Sequence, residues 1–561
     1  MNLLKPLLAI YLFICLVSCA ANPNQSGEFD SDSANPATVT ASRQPTQSTS
    51  PVSTTAPQLP ATILDTTLPT TAGRKIKVAA GADGARNFQT ALDQAKPGDV
   101  ILLEAGATYL GNFTLPKKSG NEWIIIRSTA SDAQLPAQGT RITPKYVNFL
   151  PKLITTNADP VIKTAAGAHH YRFIGIEFSV TATTPVTYDL LQLGSGAQTS
   201  MAEVAHDLII DRCYLHGSAT ANLRRGIALN SAHTSVIDSH ISDCHEKGAD
   251  SQAICGWNGP GPFKIVNNYL EGAGENVMFG GADPKIANLV PSDIEFRRNH
   301  CFKPLAWKKN EAIYAGEPWS IKNIFELKNA RRVLIEGNLF ENNWVDAQSG
   351  VAILFTVRNQ DGTAPWSIVE DVTFSNNILR HVAAAINILG RDNNNESQQV
   401  QRIKIYNNLI YDVGGKQWGG NGVFLQISDT RQVSVDHNTV VHRGNIITGH
   451  GRANEGFVFT NNFLPHNEYG VIGDGVGPGN PTIAKYFSKP TFKRNVLAGG
   501  RASLYPADNF FPANLDDLEK AEKNFNLPTT SQFKNAGTDG KDIGCDLNQL
   551  AKDIGMIEPK L

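Results

Sequence analysis

The chain has 561 residues, with 50 Lys and Arg against 52 Asp and Glu, a formal net charge of −2 and a pI near 6.7. That balance removes the electrostatic basis of a dedicated nucleic-acid binder. A composition 41% hydrophobic and 18% charged is globular, and 48 Gly with 30 Pro favour turns and short strands over long helices.

At the start of the chain, Lys5 precedes an apolar run of 11 residues from Leu7 to Val17. Such a run is too short to cross about 30 Å of hydrocarbon as a permanent helix and suits the h-region of a cleaved signal. The segment Leu16-Val17-Ser18-Cys19 resembles the bacterial lipobox, which implies acylation of Cys19 and a membrane held through lipid rather than protein. The implied location is the bacterial cell envelope, the outer membrane preferred, with secretion as the alternative. From Asn22 to Ala72, 25 of 51 residues are Ser, Thr or Pro, the composition of an extended tether. Five cysteines remain after Cys15 and Cys19, too few and too irregular for a disulfide framework or a C-x-x-C metal site.

A repeat organises the rest. Alternating apolar residues followed by an Asn pair or a close substitute recur as Ile265-Val266-Asn267-Asn268, Phe296-Arg297-Arg298-Asn299, Ile335-Glu336-Gly337-Asn338 and Phe374-Ser375-Asn376-Asn377. They continue as Ile405-Tyr406-Asn407-Asn408, Val435-Asp436-His437-Asn438, Phe459-Thr460-Asn461-Asn462 and Lys493-Arg494-Asn495. The second Asn advances by 31, 39, 39, 31, 30, 24 and 33 residues, the spacing of solenoid rungs with insertions. Asn at one fixed phase tolerates a left-handed turn and can bond to the Asn of the next rung. The expected fold is all-β, a right-handed parallel β-helix. Upstream, Phe88 to Ala95 has helical apolar spacing and the strand Val100–Leu103 follows, which resembles the capping helix and first rung of the pectin-lyase-like superfamily. The expected organisation is a signal peptide over 1–19, a linker over 20–73, the β-helix over 74–545 and a tail over 546–561. A monomer is expected.

The strand after each Asn turn aligns on an inward column of Leu229, Cys255, Phe279, Leu327, Phe355, Leu389 and Ile427, and alternation then turns their neighbours outward. Glu326 and Lys328 leave one rung, Arg358 and Arg391 follow the next two, and Glu275, Asp283, His245 and Asp250 precede them. Charged groups would thus share one edge across about 20 Å, the length of an oligosaccharide. Trp307, Trp319, Trp366 and Trp418 lie in the insertions and are candidates for stacking on sugars.

Lys with Arg on adjacent rungs resembles chondroitinase B and related alginate lyases. The resemblance implies a polysaccharide lyase acting on an acidic, uronic-acid-containing polysaccharide by β-elimination. In it Lys328 is the base, Arg358 the neutraliser or proton relay, and Arg391 an anion contact. His245 is an alternative base. Glu275, Glu326 and Asp283 offer hard oxygens for Ca²⁺. A glycoside hydrolase would instead use paired carboxylates such as Asp250 and Glu275. A C5-epimerase would share the proton abstraction, and a non-catalytic glycan-binding adhesin would need only exposed aromatics.

Overall fold

The computed structural model describes residues 56–184, 186–515 and 525–555. The chain winds as a right-handed parallel β-helix of three sheets, with 16, 13 and 12 strands, in which each strand pairs in parallel with the corresponding strand of the next rung. One rung reads Ser292–Arg297 in the first sheet, an Asn turn, His300–Phe302 in the second, an insertion, and Phe325–Leu327 in the third, before Ala330–Glu336 opens the next rung.

The turn from first to second sheet explains the Asn repeat. The residue before each Asn takes a left-handed conformation, at Asn267, Arg298, Gly337, Asn376, Asn407, His437, Asn461 and Arg494. The Asn that follows faces inward and bonds to its counterpart. Asn377 donates its backbone N–H and its Nδ2 to Oδ1 of Asn408, at 2.9 and 3.1 Å, and Nδ2 also reaches the Ile335 carbonyl. The same pattern runs from Asn268 through Asn495 to Asn509. Inward Val, Ile, Leu and Phe from all three sheets form one continuous core from Val78 to Tyr505. A helix over Gly84–Gln94 covers the first rung with Phe88, Ala91 and Leu92. At the far end, Asn480–Tyr486 buries Ile483 and Tyr486.

One strand register and two boundaries differ from those expected. In the third sheet, Gly256 pairs with Phe279, and Phe355 with Ile388, so Cys255 and Leu389 face outward and Gly256 and Ile388 fill their places. A shift of one residue reverses the face. The linker does not extend to residue 73. Gln58 and Ala61 donate backbone N–H groups to Asp371 and Asp293, and the carbonyls of Leu64, Thr66 and Thr67 accept from Lys264 and Arg172. Residues 58–67 therefore form a strap along the first sheet, held by main-chain groups whose bonding the Ser/Thr/Pro composition does not disclose. The expected tail, too, is engaged: a helix over Leu547–Ile554 sets Leu550 and Ile554 against Leu339, Ile378 and Leu409. The signal segment and Cys19 lie outside the described residues.

Candidate active site

The outward face of the third sheet carries a polar stripe fixed by strand register. Asp189 pairs with Arg225, Arg225 with Gln252, and Gln252 with Glu275. Two strands of the next rungs add Glu326 and Thr356. At the spacing of parallel strands the six strands cover about 24 Å.

Glu275, 1% exposed, accepts from Nε2 of Gln252 at 2.6 Å. Burial, then the carboxylates of Asp250 and Glu326, push it well above the usual carboxylate range. Glu326 accepts from Nδ2 of Asn323 and Oγ1 of Thr356, each at 3.2 Å. The ammonium of Lys328 stands 3.9 Å from Glu326, with 16% of its side chain exposed. Burial works against its charge, but Glu326, Glu275 and Asp250 outweigh that and hold its pKa above the ordinary value. Asp250, its side chain 40% exposed, pairs with Lys322. Two buried acceptors here, Oε1 of Gln252 and Oδ1 of Asn323, have no hydrogen-bond partner among the described residues. Beneath the turn, the fully buried Lys303 donates to the carbonyls of Gly272, Ala273 and Gly274, the three residues that lead into Glu275. Three acceptors match the three donors of an ammonium. We therefore take Lys303 as charged, although burial lowers its pKa.

The expected site residues separate into two groups. Lys328, Glu326 and Glu275 come together, joined by Asp250 and Lys322. Arg358 is bonded to Lys328 through the backbone, N–H to carbonyl at 2.9 Å, but its guanidinium turns to Asp392 at 3.0 Å and to Asn393. Arg391 pairs with Asp429 at 3.3 Å on the following rung and remains partly exposed. Both Arg side chains thus flank the cluster and are already partnered by acidic loop residues.

His245 is not placed as a base. It is fully buried, stacked on Trp319 at 3.7 Å and edge-on to Trp307 at 5.4 Å, and burial pushes it down to about 4. Trp307, Trp319 and Trp418 are not exposed platforms either. With Trp344, Ile321 and Ala383 they form a buried cluster that fixes the insertions to the rungs. Trp366 is half-buried and donates Nε1 to the Leu289 carbonyl at 3.0 Å. An insertion this long needs its own apolar contacts to be ordered, and large rings supply them.

Asp283 does not join Glu275 and Glu326. Its Oδ2 accepts from Asp361 N, Thr363 N and Thr363 Oγ1, a staple across the 361–363 loop. Because Ca²⁺ takes six to eight oxygens, the expected donor set does not fit it: Asp283 is elsewhere, Glu326 is already bonded, and Lys328 adds positive charge beside it.

Sequence reasoning missed the aromatic groups that do border the stripe. Tyr188 is 52% exposed, with the guanidinium of Arg224 at 4.7 Å from its ring. Trp257 is half-buried under Arg225 at 5.0 Å. Arg224 is held by both oxygens of Glu246, at 2.7 and 2.9 Å. The signal was available in the outward positions of the strands before Glu275, which lack the Asn-marked spacing of later rungs.

No protein-family model matches the chain and no characterised relative matches it by sequence. Solved structures do. An alginate lyase from Paenibacillus sp. str. FPU-7 matches at 13% identity over 74% of this chain and 99% of its own, with a TM-score of 0.30. Pectate lyase Pel9A matches at 13% identity over 85% and 96%, with a TM-score of 0.36. The tailspike protein of E. coli bacteriophage HK620, solved with a pentasaccharide, matches at 10% identity over 78% and 67%, with a TM-score of 0.39. All are right-handed parallel β-helices. The assignment of this chain as a parallel β-helix stands on its own three parallel sheets. At TM-scores below 0.5 these likenesses assign no activity, and chemistry has to be argued from the stripe itself.

Proposed function

We propose that this protein is a polysaccharide lyase that cleaves an acidic, uronic-acid-containing polysaccharide by β-elimination on the outward face of the third sheet. The observation that carries the reading is Lys328: a largely buried cation, 16% of its side chain exposed, held charged by Glu326, Glu275 and Asp250 towards one end of the stripe. β-Elimination needs the substrate carboxylate neutralised, the C5 proton removed and the leaving oxygen protonated. As an ammonium in the resting protein, Lys328 is suited to the first and third tasks rather than to acting as the base. Asp250 is the most accessible carboxylate of the cluster and takes the C5 proton in this scheme. Arg358 and Arg391, paired with Asp392 and Asp429, lie on the following rungs as further anion contacts in this scheme, and Tyr188 with Arg224 offers a stacking surface at the other end. No step passes through calcium, and activity is expected to persist in chelator.

The raised pKa of Glu275 beside Asp250 favours a second reading, a glycoside hydrolase with Glu275 as general acid. A C5-epimerase would share the proton abstraction without cleavage. Acylation of Cys19 and residence in the cell envelope belong to the same proposal and would present the solenoid to polymer outside the cell. The test is product analysis on a panel of polyuronates and glycosaminoglycans. Products with an unsaturated, ultraviolet-absorbing terminal uronate support the lyase. New reducing ends without unsaturation transfer the assignment to the hydrolase, and exchange at C5 without chain scission transfers it to the epimerase.

A further inference from the structure

One column of the first sheet changes its chemistry partway along the solenoid. The residue that precedes the main run of each strand is left-handed on most rungs, and register aligns His170, Asp207, His233, Pro262, Asp293, Arg332, Asp371, Arg402 and Gln432. From Asp293 onward the column is filled by ion pairs. Arg332 grips both oxygens of Asp293 at 2.7 Å, and Arg402 those of Asp371 at 2.6 and 2.9 Å. At its first three positions no Arg or Lys fills the column, and Asp207 stands between two imidazoles.

His206 and His169 crowd the same point from the adjoining register position. Nδ1 of His206 is 2.6 Å from Oδ2 of Asp207, Nδ1 of His170 is 3.9 Å from the same oxygen, and Nδ1 of His233 is 3.7 Å from Oδ1. One ligand atom from each of His170, His206 and Asp207 fits within 4.8 Å of the others. Behind them, His169 is buried, with Nδ1 2.8 Å from Nδ1 of His170 and its ring stacked on His206 at 4.8 Å. Trp123 covers His170 at 5.3 Å. Four imidazoles and one carboxylate within two strand spacings exceed what pairing one Asp requires.

We propose that His170, His206 and Asp207 bind a divalent transition metal of the zinc class, with His233 or water as the fourth ligand. Imidazole and carboxylate suit zinc and its neighbours. A tetrahedral ion with bonds of about 2.0–2.1 Å spaces its ligands by about 3.3 Å, between the 2.6 and 3.9 Å already present. Side-chain exposures from 16% at His170 to 51% at His233 leave the ion a path in. The site lies on the first sheet, away from the stripe of the third, so its loading is read without reference to activity.

The experiment is titration of the untagged full chain, stripped with chelator, with ZnCl₂ by calorimetry and with CoCl₂ by visible absorption. The expected result is one equivalent of zinc and the intense visible bands of tetrahedral cobalt. Both should be lost in His170→Ala/His206→Ala. Asp207→Asn, which keeps the shape of the carboxylate, guards against a merely unfolded double variant and should also lose the tetrahedral cobalt bands. Absence of stoichiometric uptake by the wild-type chain, or uptake and cobalt bands that persist in a folded double variant or in Asp207→Asn, would overturn the proposal.

Discussion

The Asn turn and the outward stripe of the third sheet are both polar, largely buried and built by stacking rungs, yet they treat their polar groups in opposite ways. Along the turn, each Asn amide meets a partner: Asn377 bonds to Asn338, Asn408 and a core carbonyl, and carries no charge. Along the stripe, Glu275 is buried beside two other carboxylates, and the acceptors of Gln252 and Asn323 find no donor among the described residues. A satisfied buried network holds a fold together, whereas an incompletely satisfied one costs stability and marks a place where the chain serves something other than its own folding.

The contrast can be broken most directly at Lys328. Lys328→Ala should lower turnover by roughly 10²–10⁴-fold while circular dichroism still reports the folded solenoid. A fall no greater than that of an exposed loop variant would remove the stripe from the chemistry. Asn377→Ala should do the reverse. It leaves buried groups of its two neighbours unsatisfied at about 1–3 kcal/mol each, lowering the melting temperature while activity per folded molecule holds.

Glu275 sharpens the comparison through pH. A carboxyl whose pKa is raised in the fold favours the folded state most fully below its unfolded pKa, and that contribution is lost as pH rises through the raised value. Glu275→Gln should therefore be more stable than the wild type in alkaline solution, by about 1–3 kcal/mol, and lose the advantage in acid. Urea unfolding at several pH values measures this, and parallel stability curves would show that Glu275 is not strained.

Smaller effects are expected at the edges. A chain beginning at residue 74 loses the strap, at about 0.5–1.5 kcal/mol per hydrogen bond, and should melt earlier. Tyr188→Ala should raise KM a few-fold with kcat little changed, the pattern of lost binding that is equal in ground and transition states.

Much of the scaffold was legible in the sequence because the Asn turn imposes a residue type at a fixed phase: only a residue that tolerates its neighbour's left-handed turn and bonds to its own copy repeats there. The core columns followed by alternation, except for a one-residue shift at Cys255 and Leu389, each of which adjoins the residue that takes the inward place. Glu326 and Lys328 were legible for the same reason, since alternation turns both outward beside Leu327, whereas Glu275 joins them from three register positions away. The partners of Arg358, the burial of His245 and the packing of Trp307, Trp319 and Trp418 were not, because loop contacts obey no period. The strap from Gln58 to Thr67 was hidden altogether, being held through main-chain groups.

The most direct test of the central claim is a comparison of wild-type, Lys328→Ala and Arg391→Ala proteins for release of unsaturated uronate from the best polymer of the panel. The account predicts unsaturated product from the wild type, essentially none from Lys328→Ala, and a reduced but measurable rate from Arg391→Ala. Undiminished product from a folded Lys328→Ala protein would contradict it.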